Sequence, residues 1–162
     1  YLRSKAPMFN IPTVRAHCDI PCKIYDPATA QIAALSVVRL MDIIAELAEH
    51  PDKDSAAQLA RLVAQKEVHA AQVKHEVTTI WGDYFKQPQI EKFPDIHEVT
   101  HQIMQAASKC KQGIARKDGL VLVEQLNRFS EIFWHSKDMV THRVFAPYPP
   151  ALEVVHPYLK DA

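Results

Sequence analysis

The sequence predicts an all-α fold, an up-down-up-down four-helix bundle flanked by irregular N- and C-terminal arms. Apolar residues recur at three- and four-residue steps along four separate stretches, the signature of amphipathic helices. Of eleven prolines, four lie at or before Pro27 and four between Pro147 and Pro157, and only Pro51, Pro88 and Pro94 interrupt the middle. With three glycines in the whole chain, the middle reads as helices with short breaks.

Asp26-Pro27 opens the first helix, with Asp as N-cap and Pro at the first helical position. Ile32, Leu35, Val38, Met41, Ile44, Leu47 and Ala48 form its apolar stripe, and His50-Pro51 ends it. The second starts near Asp54-Ser55 and carries Leu59, Leu62, Val63, Ala70, Val73, Val77 and Ile80 on one face, running to about Tyr84 before Pro88. Pro94-Asp95 opens the third, through Ile96, Val99, Ile103, Ala107 and Cys110, with Gly113 as its stop. Cys110 falls on the apolar stripe and reads as a core thiol. The fourth runs from about Asp118 to Met139 with Leu122, Leu126, Phe129 and Phe133 inward. Short connections favour antiparallel neighbours. No strand is expected, and residues 141–162, with Pro147-Tyr148-Pro149-Pro150, read as an extended tail.

At 162 residues the chain fits one domain with a real core. Lys plus Arg and Asp plus Glu both number 19, so charge argues for neither nucleic acid nor an anionic membrane as partner. No apolar run is expected to span a membrane. Three cysteines do not describe a disulfide framework, a reducing compartment fits, and the two other than Cys110 read better as ligands than as staples.

Two cysteines sit in His17-Cys18-Asp19-Ile20-Pro21-Cys22-Lys23-Ile24-Tyr25-Asp26-Pro27, where the prolines forbid a helix. Their spacing belongs to neither a zinc finger nor a thioredoxin-type motif. Read alone, the string is either a proline-rich turn with incidental cysteines or a chelator. If the chain begins at His17, its α-amine, the Cys18 amide nitrogen and the Cys18 sulfur make two fused five-membered rings. Cys22 completes a plane of two nitrogens and two sulfurs, with the His17 ring axial. A square plane suits Ni(II) or Cu(II), and thiolates favour nickel because they tend to reduce Cu(II).

The string resembles the amino-terminal hook of the nickel superoxide dismutase family. Trp81-Gly82-Asp83-Tyr84-Phe85-Lys86, followed by Pro88, Glu91-Lys92-Phe93-Pro94 and His97, is similar to a second segment of that family. The resemblance implies superoxide as substrate and nickel, cycling between Ni(II) and Ni(III), as cofactor, one per chain once processed. It implies His17, Cys18 and Cys22 as metal ligands, and Asp19, Tyr25 and Tyr84 as polar groups around the site. Lys23 and Lys86 would attract the anionic substrate. It also implies a homohexamer and a protease that removes a leader.

Residues 1–16, ending Val14-Arg15-Ala16, would be that leader or pro-segment, although they lack the apolar core of a secretory signal. A structured arm and the remainder of a transit peptide are the other readings. Residues 17–25 would be the hook, 26–140 the bundle and 141–162 the tail. The expected compartment is the bacterial cytoplasm or the plastid stroma, not the secretory route. Three positions depart from the family: Lys23 stands where many members have glycine, and Ala33 and His69 stand where some have a glutamate and an arginine that hold the axial histidine. These departures leave an alternative, a non-catalytic relative with an uncut leader. It would be bound into a larger assembly, for instance a photosynthetic one, through residues 1–16 and 141–162.

Overall fold

The structure is a computed structural model that describes residues 23–159. Its elements are α1 (Ala28–Glu49), α2 (Ser55–Thr79), a π-helical turn (Ile80–Tyr84), α3 (Gln87–Lys92), α4 (Ile96–Gln112), α5 (Arg116–His135), β1 (Thr141–Phe145) and β2 (Glu153–Pro157). The four long helices α1, α2, α4 and α5 pack in a ring, each against the next, in the expected up-down arrangement.

Helix α1 begins one residue later than expected, so Pro27 rather than Asp26 stands at the N-cap position, and Asp26, just before it, accepts from the Ala28 amide through Oδ1 at 2.8 Å. The buried stripe of α1 is Ala30, Ala33, Ala34, Val37, Val38, Met41 and Ile44, so Ile32, expected inside, is 55% exposed. Small alanines bring α1 close to its neighbours and shift the buried face by one position. α1 is long and apolar enough to cross a membrane by length and composition, against expectation, but that apolarity lines the bundle core.

The antiparallel pairing of α1 and α5 is fixed at three levels. Gln31 meets Asn127, Gly119 meets Val38, and Arg116 bonds Asp42 at 2.7 Å. A Cβ on Gly119 would lie 2.8 Å from Val38 Cγ2, so the two backbones approach only because this residue has no side chain.

Lys66 is fully buried, which nothing in the sequence foretold. Its ammonium donates to the carbonyls of Cys110 and, at 3.0 Å, Lys111. These are among the unpaired carbonyls at the end of α4, where a cation also suits the helix dipole. Burial lowers the pKa of Lys66, and the two carbonyls offset part of that cost.

Three expectations need correction. The second helix leaves α geometry at Ile80, and Pro88 sits in the first turn of the short helix α3 rather than only ending α2. The fourth helix ends at His135, short of Met139. The tail is not a loose extended arm: it contains an antiparallel hairpin in which Thr141 pairs with Pro157 and Phe145 with Glu153.

The outer edge of β2 is satisfied by buried side chains. Asn127 Oδ1 accepts from the Val155 amide at 3.2 Å and its Nδ2 donates to Glu153 O at 2.9 Å, while Gln31 Nε2 donates to Val155 O at 3.1 Å. Arg143 on β1 bonds Glu124 through both terminal nitrogens and Glu131 through Nε, tying the hairpin to α5. The guanidinium holds the Glu124 carboxyl below its ordinary value.

Candidate metal centre

The bundle ends that meet at the root of the hook are the start of α1, the π-helical turn after α2 and the last turn of α5. Of the expected ligands and polar groups, His17, Cys18, Asp19 and Cys22 lie outside the described residues, as does the leader. The described part begins at Lys23, whose φ is 59°. This left-handed backbone favours glycine, so Lys23 occupies a position under strain.

Tyr25 packs against the core and its ring centre lies 6.1 Å from that of Tyr84. The π-helical turn delivers Tyr84 there: the wider turn breaks the α2 spacing and sets Tyr84 between Phe85 (5.1 Å) and Phe133 (4.9 Å). The structure therefore brings together two of the sequence-selected tyrosines, which are distant in the chain. Trp81 Nε1 donates to His97 Nδ1 at 3.0 Å, so the first and last residues of the Trp81–His97 segment also touch. That leaves Nε2 of His97 to carry its proton.

Two residues of this cluster were not foreseen. Ser136 Oγ lies 2.7 Å from Tyr84 Oη and 2.6 Å from the Phe133 carbonyl. A serine has one hydroxyl hydrogen, and the carbonyl can only accept it, so Tyr84 donates its own hydrogen to Ser136. The phenol oxygen is left as an acceptor toward anything else that approaches. Lys137 places its Nζ 4.6 Å from the Tyr84 ring centre and 5.0 Å from that of Phe133, a cation held over aromatic faces. Lys86, by contrast, turns its ammonium back onto Gly82 O at 2.9 Å, where it ties down the π-helical turn. The only sequence signal for Ser136 and Lys137 was their place at the end of the fourth helix.

Ala33 is buried in the core. His69, on α2, keeps its Nδ1 buried with no hydrogen-bond partner among the described residues. A methyl group cannot hydrogen-bond an imidazole, so Ala33 would give a histidine ligand no orienting partner. Cys110 has no exposed surface, and burial pushes its thiol up to about 11. It is thus a protonated core thiol at neutral pH.

Comparison with known proteins places these features in a family. The pattern of nickel-containing superoxide dismutase matches residues 12–137. The chain is 35% identical over 125 residues to a nickel superoxide dismutase of Streptomyces coelicolor, spanning 77% of this chain and 91% of the relative. It is 33% identical over 124 residues to that of Streptomyces seoulensis, spanning 76% and 90%. A solved native nickel superoxide dismutase superposes with a TM-score of 0.67 at 34% identity, covering 75% of this chain and 99% of the other. The match includes the donor string and all four long helices, and stops short of the hairpin. The chain belongs to the nickel-containing superoxide dismutase family.

Proposed function

We propose that this chain disproportionates superoxide at a nickel ion held by His17, Cys18 and Cys22. The observation that carries the reading is that the family match spans the donor string together with Tyr25, just before α1, and Tyr84, at the end of the π-helical turn. The donor set fits the metal. Two thiolates, an amidate and an amine are strong anionic and nitrogen donors suited to a square plane, and among divalent ions that chemistry favours nickel. Nickel, when bound, supplies the one-electron chemistry between its divalent and trivalent states.

The rest is the work of the protein. Two superoxide ions and two protons give one O2 and one H2O2, so charge must be attracted and protons delivered. The exposed ammonium of Lys137 over Tyr84, with Lys23 at the hook's root, makes the approach positive and raises the encounter rate of an anion. Tyr84, its hydrogen committed to Ser136, accepts a hydrogen bond from water or from the protonated product without ligating the metal. Asp19 and Tyr25 complete the polar surround by resemblance. One nickel per chain and a hexamer of such bundles belong to the same reading.

The test is to prepare the full chain and a form trimmed to begin at His17, load both with Ni(II), and measure nickel content and superoxide consumption. An amide at His17 is a poor donor near neutral pH, so only the trimmed form should take up nickel in the thiolate site and turn over. Full activity of the longer form would refute the amine as a ligand. An inert trimmed form with nickel bound would favour the non-catalytic alternative, for which the loss of a carboxylate at Ala33 is the specific support.

A further inference from the structure

Read as a string, the histidines outside the hook form no ligand group; the hairpin changes this for two of them. His142 on β1 stands directly opposite His156 on β2. The bonds from Ala146 N to Leu152 O and from Tyr158 N to Val140 O, each 2.9 Å, fix the alternation of the ladder. The pair 142–156 is in phase with both, so it is one that exchanges both ladder bonds, with Cα atoms about 5.5 Å apart and side chains on the same face. Their ring centres are 6.4 Å apart and their planes 39° from parallel. Tyr158 also stacks on His142, with ring centres 4.1 Å apart and planes 31° from parallel, and restrains that ring. The Nδ1 of His142 is buried and has no hydrogen-bond partner among the described residues, so the ring is held in place without a protein partner for that atom.

We propose that His142 and His156 form a second metal site, for a borderline divalent ion of the zinc, copper and nickel group. Two imidazoles bound at about 2.1 Å to one ion have ring centres roughly 5–6 Å apart, so a small rotation of the exposed His156 closes the remaining gap. Imidazole nitrogens, with no carboxylate joining them among the described residues, select these ions over magnesium or calcium. No third histidine, cysteine or carboxylate converges on the pair among the described residues. Water therefore fills the other positions, and the site is an open, exchangeable one rather than a closed structural centre. It lies on the hairpin, beyond the residues matched by the family, and does not depend on the dismutase reading.

The experiment uses the full chain carrying Cys18→Ser and Cys22→Ser, which removes the hook thiolates, titrated with Zn(II) and followed by the histidine ring signals in NMR. One equivalent should bind, with the His142 and His156 signals moving together. His156→Ala and His142→Gln should each weaken binding roughly tenfold or more, a loss of at least about 1.4 kcal/mol. His156 is exposed, so its replacement leaves the hairpin in place, which protection of the Val155 amide from exchange would verify. Unchanged zinc affinity in His156→Ala would overturn the proposal. So would movement of other histidines in place of these two, or no binding at millimolar zinc.

Discussion

The hydroxyl of Tyr84 donates to Ser136, 2.7 Å away, because the single hydrogen of Ser136 is already committed to the Phe133 carbonyl. The last turn of α5 thereby sets the polarity of a tyrosine delivered from the end of α2. Ser136→Ala removes the acceptor and lets the phenol hydrogen swing toward the open side, where the mechanism requires a lone pair. A hydrogen bond of this kind contributes about 1 kcal/mol, so turnover should fall roughly fivefold. Ser136→Thr keeps the hydroxyl and should restore it. A change in the Tyr84 Cζ chemical shift in Ser136→Ala, absent in Ser136→Thr, would tie the loss to this bond. Equal rates in all three proteins would remove Ser136 from the mechanism.

Lys23 gives a prediction of opposite sign. Its φ of 59° is a region where a side chain is disfavoured by about 1 kcal/mol and glycine is not. Lys23→Gly should therefore stabilise the nickel-free protein by roughly 0.5–1 kcal/mol, offset in part by the greater freedom of glycine in the unfolded chain. Lys23→Val, branched at Cβ, should destabilise it. Urea unfolding of the three proteins decides the matter, and a stability order with valine above glycine would contradict the backbone argument.

How far the sequence could be read depends on how local each cause is. The stripe through Val38, Met41 and Ile44 follows from helical period alone, and so does the core position of Cys110. Tyr25 and Tyr84 stood out because each lies in a distinctive string. Ile32 was misplaced because alanines at positions 30, 33 and 34 define the buried face as strongly as larger residues do. Lys66 looked like a solvated lysine, since its partners are carbonyls at the far end of α4 that only the folded bundle brings near. The hairpin hid behind its prolines: its strands are five residues long, and the groups that hold its edge, Gln31 and Asn127, lie on helices far away in the chain. Ser136 and Lys137 had the polarity of any helix end facing water.

Cys110 couples stability to alkaline pH. Its thiol titrates at about 11 in the folded protein, against about 8.5 for a free cysteine. Across that interval the unfolded chain has lost the proton and the folded one keeps it. The unfolded state binds fewer protons there, so stability falls as pH rises. The contribution is complete below the unfolded value and lost as pH climbs through the folded one. Cys110→Ser removes a titrating group, so the difference in unfolding free energy between wild type and variant should narrow between about pH 8.5 and 11. Nickel content of the trimmed protein should be unchanged, in contrast to Cys18→Ser and Cys22→Ser. A constant difference across that pH range would mean that the thiol is less shielded than its burial implies.

The hairpin depends on Asn127, which is 1% exposed and serves both Val155 N and Glu153 O while meeting Gln31 Nε2. Asn127→Leu keeps a similar volume on α5 but leaves a buried amide hydrogen and a carbonyl without partners. Each such group costs about 1–3 kcal/mol. The strand is an edge strand and can leave, so the chain should relieve that cost by releasing β2 rather than by unfolding the bundle. The expected result is fast amide exchange at Val155 and new protease cleavage after residue 140, with the helical signal and the protection of α1 and α2 retained. Arg143 would still hold β1 to Glu124 and Glu131, so a double variant with Arg143→Ala should free the whole hairpin. Global unfolding of Asn127→Leu would show instead that the hairpin is part of the cooperative core. Because the hairpin lies beyond the residues matched by the family, nickel binding and superoxide consumption of the trimmed protein should survive its release.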